Sequence, residues 1–257
     1  MSDFIRDCGG CAVLDGMLAT ELQRNGVNLN DPLWSARCLI TCPHLVRKVH
    51  LDAIEAGANV TLTASYQATI QRFESRGFTR EERSYGAYLA DGSEYRGDYG
   101  DAVDLKFLKD FHRRRIQAYV EILEENDIRI PAWFSFNTND GINVPSGDSV
   151  LDCVSVADSC DKVLAVGINC APPRFIHDLI LSIRKVTSKS ILVYPNSGET
   201  YDGHKKEWVE SKFKGESSKQ DFASYVTKWH EAGASIIGGC CRTTPRTLRA
   251  IRKVLNN

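Results

Sequence analysis

Three cysteines stand where they could do chemistry together. In "SIIGGCCRTTP" (235–245), Cys240 and Cys241 are adjacent, directly after an apolar run and two glycines. In "VLAVGINCAPPRFI" (163–176), Cys170 follows another apolar run, with Asn169 before it and Pro172 and Pro173 after it. Both stretches read as a strand ending in cysteine and then a helix opened by proline, whose missing N–H would be unpaired in a first turn anyway. Thr244 stands where it would cap the second helix. Neighbouring side chains on an extended chain point to opposite faces, so an adjacent thiol pair suits neither a core nor a relaxed disulfide.

At the carboxyl ends of parallel strands, all three thiols would share one face, the face that carries the active site in α/β barrels and sheets. Three thiolates at one point suit Zn²⁺, which takes tetrahedral sulfur and nitrogen ligation. Structural zinc has four protein ligands; three leave the fourth position open, which is the catalytic pattern. Gly238 and Gly239 would let the backbone approach a crowded metal closely. The residues alone leave other readings open. Each thiol could be a small buried hydrophobe. Cys240 and Cys241 could form a vicinal-dithiol redox pair, which does not use Cys170. A structural-zinc binding module would need a fourth protein ligand, and no residue is placed to supply one.

The other cysteines read differently. Cys8 and Cys11 form a C-x2-C without a partner pair and read as incidental. Cys38, Cys42, Cys153 and Cys160 read as structural. Among the histidines, His44, His50, His112, His177 and His230 fall in helical patterns as solvated or capping residues, and His204 in a polar loop. Nine cysteines, with a start ("MSDFIRDCGG") unlike a signal peptide, point to reduced thiols and a cytoplasmic location. A formal net charge of −1 offers no electrostatic case for nucleic acid or an anionic membrane. No apolar run approaches the ~18 residues of a membrane span.

The elements that would position the thiols repeat one grammar: a short apolar run, a turn, then a helical pattern. The runs are "CAVLDG" (11–16), "NVTLTAS" (59–65), "PAWFSFN" (131–137), "KVLAVGIN" (162–169), "SILVYPN" (190–196) and "SIIGG" (235–239). Strands apolar throughout, alternating with helices, indicate a parallel sheet buried on both faces. After Cys170, the residues Phe175, Ile176, Leu179, Ile180, Ile183 and Val186 share one helical face. With 257 residues and no linker, the chain reads as one domain over 1–257, a (β/α)8 barrel or a doubly wound sheet. A barrel needs eight strands and six are present. No strand precedes "SYGAYLADG", and the helical stretch from Leu108 runs straight into "PAWFSF".

These stretches resemble the homocysteine S-methyltransferase family. The matching wording is "VLDGMLATEL", "DPLWSA", "AGANVTLTASYQATI", "YGAYLADGSEYRGDYG", "VGINCAPP", "VYPNSGE" and "GGCCRTTP", in order along almost the whole chain. The loops are similar to the plant-type branch that uses S-methylmethionine. The resemblance implies a (β/α)8 barrel and one Zn²⁺ per chain on Cys170, Cys240 and Cys241, with homocysteine sulfur in the fourth position. It places Asp15 near the homocysteine amino group, and Thr63, Asn169 and Asn196 at the substrate pocket. The implied reaction moves a methyl group from a sulfonium donor, S-methylmethionine or S-adenosylmethionine, to the homocysteine thiol, forming methionine. The absence of a glycine-rich nucleotide site favours the smaller donor. Two family features are missing: the third strand, and the fourth strand with its acidic residue. Both gaps coincide with the shortfall in strands. The expectation is an eight-stranded barrel from which this chain omits segments before Tyr85 and within about residues 117 to 123.

Overall fold

The computed structural model describes residues 1–31, 33–66, 131–202, 207–209 and 222–256, with scattered positions in 68–77 and 117–124. Five apolar runs form one parallel sheet: β1 (Ala12–Leu14), β2 (Ala132–Phe136), β3 (Val163–Asn169), β4 (Ser190–Tyr194) and β7 (Ala234–Gly238). Two three-residue strands, β5 (Thr200–Asp202) and β6 (Glu207–Val209), pair separately as an antiparallel hairpin.

Strand order distinguishes the two architectures that the sequence permits. The order is β1-β7-β4-β3-β2, with every neighbour parallel. A doubly wound sheet reverses direction about an interior strand. Here the strands follow one another in chain order and the last pairs with the first, as a barrel requires. The fold is a TIM-type α/β barrel whose sheet is not closed among the described residues.

The alternation along each strand explains why the runs are apolar throughout. Val13, Val166, Ile168, Ile191, Val193 and Ile237 belong to the cluster that the helices cover. Ala12, Leu14, Ala165, Leu192, Tyr194 and Ile236 form a second cluster on the opposite, inner face. The outer cover includes Ile176 and Ile180 of helix Pro173–Ile183, Val226 and Trp229 of helix Phe222–Glu231, and Leu248 and Ile251 of helix Pro245–Leu255. Each such buried aliphatic side chain stabilises the fold by roughly 1.5–3 kcal/mol relative to exposure.

One expected strand is shorter than its sequence suggests. Within 59–65 only Val60 joins the sheet, through a parallel bridge to Leu14. The Asn59 and Val60 amides donate to Val13 O, and the Asp15 amide donates to Val60 O, all on the β1 side. No described strand borders the other side, so nothing extends the ladder. The expected break between Ser84 and Tyr85 lies outside the described residues. Of 117 to 123, only Gln117, Val120, Glu121 and Leu123 are described.

Candidate metal centre and active site

Three strand ends meet at the centre. β7 finishes in Gly238, followed by Gly239, because their neighbours leave no room for side chains. A Cβ on Gly238 would lie 2.2 Å from Leu14 O, and one on Gly239 would lie 2.3 Å from Thr243 Oγ1. The crowding at these glycines comes from β1 and from the turn itself. Beyond the turn, Thr244 and Thr247 form a capping box and Pro245 takes the first helical position. On β3, Pro173 opens the helix after Cys170 in the same way.

This layout brings the three thiols together. Their Sγ atoms all lie within 4.8 Å of one another, with Cys170 to Cys241 at 3.3 Å and Cys240 to Cys241 at 4.0 Å. No disulfide joins them. No fourth His, Cys, Asp or Glu joins the group among the described residues. The thiols share their protons unequally. Interaction with Cys240 and then Cys241 pulls the Cys170 thiol well below its ordinary range, against the effect of burial. The same contacts with Cys170 push the Cys240 and Cys241 thiols up.

The loop after β4 lies between the two cysteine segments and holds both. Cys170 N donates to Tyr194 O and Cys240 N to Pro195 O, while Ser197 N donates to Cys241 O. Asn196, which is buried, donates through Nδ2 to Cys170 O and accepts through Oδ1 from Gly198 N. Two non-glycine residues here adopt left-handed backbone, Cys170 at φ 52° and Arg242 at φ 66°. Each such residue costs ~1–2 kcal/mol, and such strain persists only where surrounding contacts impose it.

Asp15, at the end of β1, is fully buried. Its Oδ1 accepts from Met17 N at 2.9 Å, while Oδ2 has no hydrogen-bond partner. The nearest basic group to that oxygen is His50 Nδ1 at 3.6 Å, also buried and without a hydrogen bond. His50 lies on helix Pro43–Glu55. Its position facing Asp15 is one that the helical pattern around it does not reveal. Thr63 is exposed in the loop after the Val60 bridge and bonds Ser65 Oγ at 2.7 Å. Asn169 ends β3 at a half-buried position, paired in register with Tyr194. Cys8 and Cys11 lie outside the thiol group, and burial pushes the Cys11 thiol up to about 12.

The family model for homocysteine S-methyltransferase matches residues 12–87 and 101–255. Homocysteine S-methyltransferase 2 from Zea mays is 55% identical over 310 aligned positions, covering 96% of this chain and 91% of the relative. The chain belongs to the homocysteine S-methyltransferase family. Its relatives also include homocysteine S-methyltransferase 2 of Arabidopsis thaliana, 51% identical and covering 100% of this chain and 96% of the relative. The selenocysteine methyltransferase of Astragalus bisulcatus is 48% identical, with coverage of 100% and 96%. Among solved structures, the metallated form of the homocysteine methyltransferase MmuM from Escherichia coli superposes with a TM-score of 0.70. It is 32% identical, and the match covers 95% of this chain and 96% of that one. The maize alignment has 310 positions but takes in 96% of only 257 residues here, so roughly 60 positions of that family member have no counterpart in this chain.

Proposed function

We propose that this protein transfers a methyl group from a small sulfonium donor to the thiol of L-homocysteine, forming methionine, with one Zn²⁺ held by Cys170, Cys240 and Cys241. The carrying observation is the group of three thiols from two strand ends, with no fourth ligating side chain among the described residues. The donor set fits the metal. Zinc–sulfur bonds of about 2.3 Å in a tetrahedron place sulfurs roughly 3.8 Å apart; here Cys170 and Cys241 stand at 3.3 Å, Cys240 and Cys241 at 4.0 Å, and all three Sγ atoms lie within 4.8 Å of one another. A vicinal dithiol does not account for Cys170, which makes the closest contact. A structural site would need a fourth ligand.

When bound, zinc supplies a Lewis acid on which an acceptor thiol is held as thiolate at neutral pH. The chain's own residues do the rest. Three cysteinates make the centre electron-rich, so the acceptor sulfur stays nucleophilic. Asp15 leaves one buried carboxylate oxygen without a hydrogen bond, and the homocysteine ammonium is the cation that satisfies it. Thr63, on the loop after the Val60 bridge, and Asn169, the last residue of β3, take polar groups of the substrate. Asn196 serves the pocket by holding the Cys170 loop. The reaction needs no general base, because an anionic sulfur attacks a cationic sulfonium and charge is lost toward the transition state. The requirement is to align the two sulfurs across the methyl group. Trp34, which opens the short helix Trp34–Arg37, and Tyr66, on the loop after the Val60 bridge, have their rings tilted to each other at 5.7 Å and offer aromatic faces suited to a cation.

S-methylmethionine is the donor that this reading favours over S-adenosylmethionine, on the absence of a glycine-rich nucleotide loop. No nucleic acid or membrane partner enters the reaction, and no helix among the described residues is long and apolar enough to cross a membrane. Nine free cysteines suit a cytoplasmic setting. The test is a methyl-transfer assay on homocysteine with each donor in turn, and on selenocysteine as a second acceptor. The zinc-loaded protein is expected to turn over homocysteine with S-methylmethionine. No transfer with either donor would refute the reading.

A further inference from the structure

The turn that carries Cys240 and Cys241 ends in a strained residue with an unusual set of contacts. Arg242 is left-handed at φ 66°, a conformation that its own side chain disfavours. Three contacts hold it there. Its backbone N donates to Thr20 Oγ1 at 2.9 Å, on helix Leu18–Arg24 after β1. Its guanidinium grips Glu199 as a fork, Nε to Oε2 at 2.7 Å and Nη2 to Oε1 at 3.2 Å. Glu199 is itself fixed by Ser197 Oγ at 2.9 Å, and Ser197 N reaches back to Cys241 O at 3.2 Å. The circuit runs from Cys241 through Arg242, Glu199 and Ser197 and back to Cys241. It joins the loops after β1, β4 and β7.

We propose that Arg242 is a positioning residue for the metal centre, holding the Cys241 thiol within reach of Cys170 by bracing its turn against Glu199 and Thr20. The proposal rests on the zinc reading above. Arginine suits the task because its planar fork fixes direction as well as distance, which a lysine ammonium does not. The pair is a poor candidate for a general stabilising contact. The Arg242 side chain is 48% exposed and that of Glu199 17%, so solvent screens one end of the pair and its contribution to folding is modest. What the brace controls is the direction of the next-door thiol, and outer contacts of this kind tune metal affinity by roughly 10–100-fold.

The test measures zinc affinity by competition with a chromophoric chelator, and urea unfolding of the metal-free protein, for the wild type and for Arg242→Ala, Glu199→Gln and the double variant. Each single variant is expected to lose about tenfold or more in zinc affinity, while the metal-free unfolding midpoint stays at the wild-type value. The double variant should lose no more than the worse single one, because both changes break the same brace. Arg242→Gly separates side chain from backbone: glycine accepts the left-handed turn without strain, yet it should lose zinc as Arg242→Ala does. Wild-type zinc affinity in Arg242→Ala, or losses that add in the double variant, would overturn the proposal. So would zinc losses that merely track lost stability. A wild-type protein that binds no zinc would instead refute the metal reading on which the proposal stands.

Discussion

Cys241 stands 3.3 Å from Cys170 and 4.0 Å from Cys240, within a group whose three Sγ atoms all lie within 4.8 Å of one another. Cys241→Ala is therefore expected to remove methyl transfer and most zinc binding, with far-UV circular dichroism unchanged because the barrel core lies elsewhere. Full activity in that variant with zinc present would refute the catalytic-metal assignment. Asp15 bears on a different quantity. Asp15→Asn keeps an oxygen for Met17 N but removes the charge offered to an ammonium, so KM for homocysteine should rise about tenfold or more while zinc content holds. An unchanged KM would take Asp15 out of the substrate site. The three cysteines were legible in the sequence because each follows a strand in a short local pattern, whereas Asp15 was singled out only by the family resemblance. His50 beside Asp15 and Glu199 beside Arg242 were not, since each joins segments far apart in the chain whose spacing carries no period.

At the scale of elements, the apolar runs and the proline-opened helices were readable because burial on both faces and helix capping leave local signs. The stretch 59–65 looked like a full strand, since composition records burial but not the presence of a neighbour on the far edge. The β5–β6 hairpin went unread because three residues per strand are too few to establish an alternation. Close approach is equally invisible without coordinates. Gly238 faces Leu14 O so tightly that Gly238→Ala should cost about 1–3 kcal/mol, seen as a lower urea midpoint, and a neutral effect would show that β1 and β7 can move apart. The loop after β2 holds a second test. Amides of Asn143 and Ile142 and the Asn143 side chain donate to Asp140, keeping its carboxyl well below the ordinary range. A depressed carboxyl stabilises the fold fully above its unfolded value, about 3.9, and loses that effect as pH falls from there toward the folded value. The stability gap between the wild type and Asp140→Asn should hold steady from pH 7 to 5 and narrow below about pH 4. A gap that does not vary with pH would show that Asp140 does not act through its charge.

The whole molecule poses the question of closure. Chain-order pairing from β2 round to β1 and on to Val60 is the progression of a barrel, yet no described strand spans the arc from Val60 to Ala132. The family member from maize carries roughly 60 aligned positions that this chain lacks. Eight parallel strands close a barrel of this type, and an open parallel sheet exposes two rows of unpaired backbone groups that invite association with other chains. Grafting the corresponding segments of the maize relative before Tyr85 and within 117 to 123 tests whether the missing positions are the missing strands. The grafted protein should unfold at higher urea concentration, show less concentration-dependent association than the present chain, and transfer methyl groups faster at equal zinc loading. The direction follows from geometry. The added strands would pair the two edges left open among the described residues and bring to the substrate face the acidic position that the family pattern places at the end of its fourth strand. A graft that lowers both the urea midpoint and the methyl-transfer rate would show that the arc is completed in some other way, and that the two gaps are not where the strands belong.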